Sequence, residues 1–166
     1  MTYRIEPLGE QFVAGFASGS EQLDEWLERH ARTATGHGTR TYVLIDTHDD
    51  VVGYFAVAPH LLGRGDAPAG LARGAPEHIP AVLLAKFALD SSLQGQGLGS
   101  EFLVAALEVI LAAARRAGGR VVVVDAGDDT ARAFYEHHDF TPLPGDPRRL
   151  VMKLSSVAKA LSSPWP

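Results

Sequence analysis

The chain has no cysteine among its 166 residues, which excludes disulfides, thiolate nucleophiles and cysteine metal sites. It also lacks a basic-then-apolar leader over residues 1–19, and no uncharged apolar run is long enough to span a bilayer. The expectation is a cytoplasmic protein that keeps off membranes. Positive charge is in deficit: 15 basic against 20 acidic side chains give a formal charge of −5. That balance argues against indiscriminate coating of nucleic acid and leaves room for a local basic patch. The 7 histidines never reach metal-ligand spacing, and the adjacent His137 and His138 read as solvated helix residues, so no metal is expected. There is no internal repeat and no low-complexity tract beyond a Gly/Pro/Ala-rich stretch at residues 61–80. The length fits one domain over residues 1–154, followed by a loose tail at 155–166.

What is present is a glycine turn in an informative place. Gln94-Gly95-Gln96-Gly97-Leu98-Gly99 sits between a strand-like apolar run at 81–89 and a helical apolar run at 101–114. Strand, glycine turn and helix in that order aim unpaired N–H groups and the positive helix end at one spot, which suits a phosphate-bearing ligand. A P-loop needs a lysine after its last glycine, and none follows Gly99. The dinucleotide pattern G-x-G-x-x-G fails because Gly95, Gly97 and Gly99 are two apart. What remains is Q-x-x-G-x-G, carried by Gln94, Gly97 and Gly99. Glycine there lets backbone approach phosphate without a side chain in the way. The alternative is a helix-start turn with no ligand.

Around the loop the chain alternates strand and helix signals. Residues 3–7 read as a first strand, and Ser18 to Glu21 as a capping box before a helix that carries Leu23, Trp26, Leu27 and Ala31 on one face and ends near Gly36. Runs at 41–46 and 51–58 read as an antiparallel hairpin turning at His48-Asp49-Asp50. Residues 61–80 read as a long irregular loop, either substrate-facing or a floppy insertion. The helix after the glycines is apolar on nearly every face and is expected to be largely buried. Four valines at 121–124 mark a strand covered on both faces, paired in parallel with the strand at 81–89. Asp128 or Asp129 caps a further helix through His138, and residues 140–143 and 150–154 form a closing pair of strands. The result is an α/β domain with a strand–helix–strand crossover.

With these pieces in order, the chain resembles the GNAT N-acetyltransferases, and within them the TacT-type toxins of bacterial toxin–antitoxin pairs. The matching stretches are Leu23-Asp24-Glu25-Trp26-Leu27, Thr41-Tyr42-Val43, Val52-Gly53-Tyr54, Ile79-Pro80 with the strand to Asp90, the loop from Gln94 to Gly99, and Ala131 to Glu136 with Phe140. The resemblance implies the GNAT fold: a mixed central β-sheet with a V-shaped splay between the strands flanking the acetyl-coenzyme A site, and helices on both faces. It implies an N-acetyltransferase that moves acetyl from acetyl-coenzyme A to the α-amino group of aminoacyl-tRNA and inhibits translation. A ribbon-helix-helix antitoxin and a homodimer are implied as partners. The alternative is a GNAT enzyme acting on a small amine or a protein N-terminus.

Carried onto this sequence, the coenzyme site comprises Gln94, Gly95, Gln96, Gly97, Leu98, Gly99 and Ser100, with Ala88 and Leu89 as the strand backbone along the pantetheine arm. Tyr135 is the helix tyrosine, expected to protonate the leaving thiolate because a phenol stays protonated at neutral pH. The other reading of Tyr135 is a core aromatic beside Phe134. The Leu89 N–H is a candidate oxyanion donor. Three departures from the family pattern stand out: Lys86 where arginine is more frequent, Ser100 in place of a basic residue, and Asp139 in place of glycine. Asp139 tolerates the left-handed turn that glycine would make. Arg29, Arg32, Arg40 and Lys86 are candidate tRNA contacts, with Arg115, Arg116, Arg120, Arg148 and Arg149 as further basic groups. Against that, arginines at a helix end also complement its dipole, Lys86 is equally suited to pairing with a carboxylate, and Glu21, Asp24 and Glu28 read as a solvated face.

Overall fold

A computed structural model describes residues 2–166. The β-branched and aromatic runs become strands, and seven of them form a mixed sheet in the order β1-β2-β3-β4-β5-β7-β6. These are β1 (Arg4–Pro7), β2 (Arg40–Ile45), β3 (Val51–Gly63), β4 (His78–Leu89), β5 (Val121–Asp125), β6 (Thr141–Leu143) and β7 (Asp146–Lys153). The helices are α1 (Glu21–Arg29), α2 (Ala31–Gly36), a single turn α3 (Ala69–Ala72), α4 (Leu98–Ala117), α5 (Asp129–His137) and α6 (Leu154–Ala160). The chain divides into two compact units, one of residues up to Ala58 with Ala85–Ala105, the other of Pro59–Leu84 with Ala106–Pro166.

In the first unit β1, β2 and β3 run antiparallel, with Arg4 opposite Ile45 and Tyr42 opposite Phe55. The hairpin turns where expected. Asp49 takes a left-handed φ of +63°, and the Asp46 carboxylate accepts from the N–H groups of His48 and Asp50 at 2.9 and 3.0 Å. Helix α1 is capped by Ser20, whose hydroxyl accepts from Leu23 N–H at 3.3 Å, so the expected box at Ser18 is two residues out of register. The helix also stops at His30 rather than running to Gly36, and α2 begins there on a new path. Beyond the break Arg32 ties α2 down: its Nε and Nη2 donate to the carbonyls of Gly9 and Gln11 at 2.8 and 2.6 Å, a tertiary anchor that no local pattern announces. Leu27, Ala31, Val43, Ile45, Tyr54, Phe16 and Val13 make the core of this unit. Tyr54 stacks on Trp26 at 5.9 Å and donates its hydroxyl to Leu23 O at 2.7 Å.

In the second unit β5 lies between β4 and β7. Ala81–Leu84 pair in parallel with Val121–Val124, and those valines pair antiparallel with Leu150 to Lys153. All four valines are at most 1% exposed, as a strand hydrogen-bonded and covered on both sides requires. Residues 61–80 are not the irregular loop expected. β3 continues to Gly63, one 3-10 turn and α3 follow, and β4 starts at His78. Leu62, Ala67, Ala75 and Ile79 are buried beside Val121, Val123, Leu143 and Val151, while Arg64 N–H and Nη1 donate to Glu77 O (2.9 Å) and Ala75 O (3.0 Å). Small core residues and backbone bonds, neither visible as periodicity, order this stretch.

Three further expectations are corrected. Residues 154–160 form α6, with Leu154, Val157 and Ala158 at most 1% exposed, instead of a loose tail. The strand expected to run to Leu154 therefore ends at Lys153, and Leu154 opens α6. α4 buries one stripe, Phe102, Leu103, Ala106, Leu107, Ile110, Leu111 and Ala114, while Ala112 and Ala113 are exposed and Val104 and Val109 half-buried. Alanine and valine lose little by facing water, so an all-round apolar pattern overstated the burial. No helix among the described residues is long and apolar enough to cross a membrane.

Candidate functional site

The glycine turn begins from β4. Asp90 opens a 3-10 turn by accepting from Ser92 N–H at 3.0 Å and Ser92 Oγ at 2.8 Å, and the backbone bonds of the turn end with Gln94 N–H to Ser91 O at 3.4 Å. Gly95 and Gly97 then take φ values of +76° and +82°, the left-handed region that strains other residues. A Cβ at either would meet nothing within 4 Å, so open space lies in front of both. Among the described residues the N–H groups of Gly95, Gln96 and Gly97 donate to no protein acceptor. α4 starts at Leu98, and the first N–H groups of a helix have no acceptor within it. Consecutive free amides at the positive end of a 20-residue helix are an arrangement suited to an anion.

The glutamine side chains of the loop face the protein. Gln94 Nε2 donates to Ser18 O at 2.7 Å and Leu89 O at 2.8 Å, and Gln96 Nε2 to Ser92 O at 3.0 Å. These bonds leave the main-chain N–H groups of the loop facing out. Asp24, read as part of a solvated face, is a correction: its carboxylate accepts from Ser18 N–H at 3.0 and 3.2 Å and from Ser18 Oγ at 2.6 Å. The signal for it was the Asp24 of the Leu-Asp-Glu-Trp-Leu stretch six residues after a serine that the fold buries.

Along β4, Ala88 and Leu89 are buried. The parallel ladder with β5 ends at Leu84, while β4 runs on to Leu89. Gly53 of β3 permits close approach here: a Cβ on it would lie 3.3 Å from Ala88 O and 3.1 Å from Phe102 Cε2. Lys86 has its ammonium 5.7 Å from the centre of the Trp26 ring, so its partner is an aromatic face and not the carboxylate considered from sequence.

Tyr135 lies in α5 of the second unit, which Asp128 caps by accepting from Ala131 N–H at 2.8 Å. It is 3% exposed, with Phe134 and Phe140 ring centres 5.4 and 5.7 Å away. The packing role left open by the sequence is therefore real. Burial, reinforced by the Asp125 carboxylate, pushes its phenol well above the ordinary value, so it stays protonated. Asp139 ends α5 with φ +70°, as its replacement of glycine required.

Most of the arginines are engaged. Arg40 donates to Thr35 O at 3.1 Å, Arg32 is the anchor already described, and Arg29 pairs loosely with Glu25 at 4.0 Å. Arg149 grips Asp125 through two bonds of 2.7 and 3.1 Å, Arg148 reaches Asp129 at 3.1 Å, and Arg115 reaches Ser163 Oγ at 3.1 Å. Arg120 and Lys153 line a cavity of about 240 Å³ with Ser155 and Trp165.

The family profile of the acetyltransferase (GNAT) domain matches residues 37–142. The chain belongs to the GNAT acetyltransferase family. This GNAT chain is 37% identical over 149 residues to the "tRNA-acetylating toxin" of Mycobacterium tuberculosis (strain ATCC 25618 / H37Rv), covering 90% of this chain and 89% of that protein. Among solved structures it is similar to AtaT complexed with acetyl-methionyl-tRNAfMet, with a TM-score of 0.86 and 27% identity over 96% of this chain and 99% of that one. It is similar also to a tyrosine-to-phenylalanine mutant of AtaT bound to the C-terminus of the antitoxin AtaR and acetyl-CoA, with a TM-score of 0.82 and 26% identity over 98% of this chain and 100% of that one. The mixed α/β acetyltransferase fold and the TacT-type resemblance drawn from the glycine loop and its neighbours are thereby met.

Proposed function

We propose that this GNAT acetyltransferase moves the acetyl group of acetyl-coenzyme A to the α-amino group of aminoacyl-tRNA, and so blocks translation as the toxin of a toxin–antitoxin pair. The observation that carries it is the 37% identity, across nine tenths of the chain, with a protein named for acetylating tRNA. The free amides of residues 95–97 fit the diphosphate of the donor, and Ala88 and Leu89 supply strand backbone to the pantetheine arm. A small ribbon-helix-helix protein is the antitoxin in this reading, the enzyme is a cytoplasmic homodimer, and Arg29, Arg32, Arg40 and Lys86 meet tRNA phosphates. Arg29 and Arg40 keep most of their donors and are the first to test.

The chemistry asks for little. An α-amino group titrates at about 7.7–8.0 and is partly neutral at cell pH, so no dedicated base is required. The amine attacks the thioester carbon, the Leu89 N–H stabilises the oxyanion, and the C–S bond breaks as the amine releases its proton to water. Tyr135 gives its proton to the departing sulfur, and the proton that the amine released to water restores the phenol. Because burial makes this phenol a weak acid, it acts first as a hydrogen-bond donor and passes the proton only as charge gathers on sulfur.

The test is transfer of radiolabelled acetyl from acetyl-coenzyme A to charged tRNA against a panel of small amines and N-terminal peptides. Label on charged tRNA alone, lost with Tyr135→Phe while coenzyme binding persists, is the expected result. Label confined to small amines or peptides overturns the toxin reading.

A further inference from the structure

We propose that Asp24 and Gln94 are positioning residues for acetyl-coenzyme A, joined through Ser18 into one relay that sets the end of β4 and the start of the glycine loop. The inference rests on the reading that this loop holds the coenzyme. Asp24 stands on α1 and accepts from both Ser18 N–H, at 3.0 Å, and Ser18 Oγ, at 2.6 Å. Ser18 is itself buried, 8% exposed, and its N–H and hydroxyl both rely on this carboxylate. The Ser18 carbonyl then accepts from Gln94 Nε2 at 2.7 Å, and the second proton of the same amide goes to Leu89 O at 2.8 Å. A carboxamide nitrogen has two protons, and here each is spent on a different carbonyl. The side chain therefore cannot rotate without releasing both.

The relay spans the atoms that the coenzyme reading needs. Leu89 is the residue whose N–H is offered to the thioester oxygen, and Gln94 is the last residue before the free amides. Two bonds run alongside: Ser91 N–H to Ala17 O at 2.9 Å and Asp90 N–H to Val52 O at 2.8 Å. Asp90 N–H and the Leu89 carbonyl belong to one planar peptide, so Val52 and Gln94 hold its two edges. Oxyanion donors work by being fixed before charge develops, and the peptide that Gln94 holds is the one directly after the Leu89 N–H, so its rotation shifts Leu89 and the start of the free amides together. The Asp24 of the Leu-Asp-Glu-Trp-Leu stretch, far in sequence from the loop, acquires a role: it orients the serine that orients the glutamine.

The experiment compares full-length Asp24→Ala, Asp24→Asn, Gln94→Glu and the Asp24→Ala/Gln94→Glu double variant, reading acetyl-coenzyme A affinity by calorimetry, kcat and KM in the transfer assay, and Tm. Gln94→Glu keeps size but cannot donate; it and Asp24→Ala are each expected to weaken coenzyme binding about tenfold and to lower kcat. The double variant should be no weaker than the worse single, because both break one relay, and Asp24→Asn should recover most of the affinity by keeping an acceptor for Ser18. Val13→Ala, in the same apolar cluster, should lower Tm without changing affinity, which separates positioning from general loosening. If Asp24→Ala does not fold, Asp24→Glu replaces it, retaining charge but displacing it by one methylene. Wild-type affinity in folded Asp24 variants, or single effects that multiply in the double, overturns the relay while the coenzyme reading stands. Absence of acetyl-coenzyme A binding in the wild type overturns both.

Discussion

Replacing Gly97 by tryptophan tests the cradle directly, because the geometry separates its effect on folding from its effect on the ligand. At φ +82°, with nothing within 4 Å of where a Cβ would stand, any side chain there meets open space and strains only its own backbone. That strain is about 1–2 kcal/mol for a non-glycine residue held in the left-handed region. For a chain of this length it corresponds to a fall in Tm of roughly 2–8 °C. Gly97→Ala carries the same backbone strain with one methyl group. The two variants should therefore unfold at similar denaturant concentrations, while acetyl-coenzyme A binding by calorimetry falls only a few-fold in Gly97→Ala and by about 100-fold or more in Gly97→Trp, whose indole fills the space facing the free amides. The reasoning fails if folded Gly97→Trp binds the coenzyme like wild type, or if Gly97→Ala loses as much binding as Gly97→Trp.

Gly53→Ala should destabilise by about 1–3 kcal/mol through overpacking, since its Cβ would sit 3.1 Å from Phe102 Cε2 and 3.3 Å from both Ala88 O and Leu44 Cβ; a denaturant midpoint equal to wild type would contradict this. Leu154→Ala should cost about 2–5 kcal/mol, because Leu154 is wholly buried, and urea unfolding with no change would return residues 154–160 to the status of a tail. Burial, followed by the neighbouring His137, holds the His138 imidazole below its ordinary pKa. The folded chain then binds fewer protons than the unfolded one in the histidine range, so this contribution is complete above the ordinary pKa and is lost as pH falls through it. Stability should thus decline from about pH 7.5 to about pH 5.5, with a shallower slope in His138→Gln; an identical slope in that variant refutes the assignment.

Several features were legible because they obey local rules. Four consecutive valines can only be satisfied in a strand with neighbours on both sides and cover on both faces. Glycines two apart between a strand and a helix announced a turn with outward amides. Asp139 accepts a left-handed φ that its place after a helix demands. Other features escaped because their causes lie far away along the chain. The path of α2 after the break at His30 is tied down by Arg32 reaching carbonyls at Gly9 and Gln11. Residues 61–80 looked like a loop because alanine, glycine and proline carry no periodicity, yet Ala67 and Ala75 are core. α6 was hidden by its small, polar-looking sequence, although Leu154, Val157 and Ala158 share one inward face. Lys86 found an aromatic ring where a carboxylate had been weighed, a choice only the placement of Trp26 could make.

The order of residues was enough to read an α/β domain and the place of its glycine turn, since backbone conformations and hydrophobic alternation act over a few residues, while the acetyltransferase reading came from the resemblance to the GNAT family. Which side chains hold that turn in place was decided by tertiary packing alone. Asp24, Ser18 and Gln94 come into hydrogen-bonding range only because α1 and the end of β4 pack in one unit, and such proximity has no short-range signature in a chain.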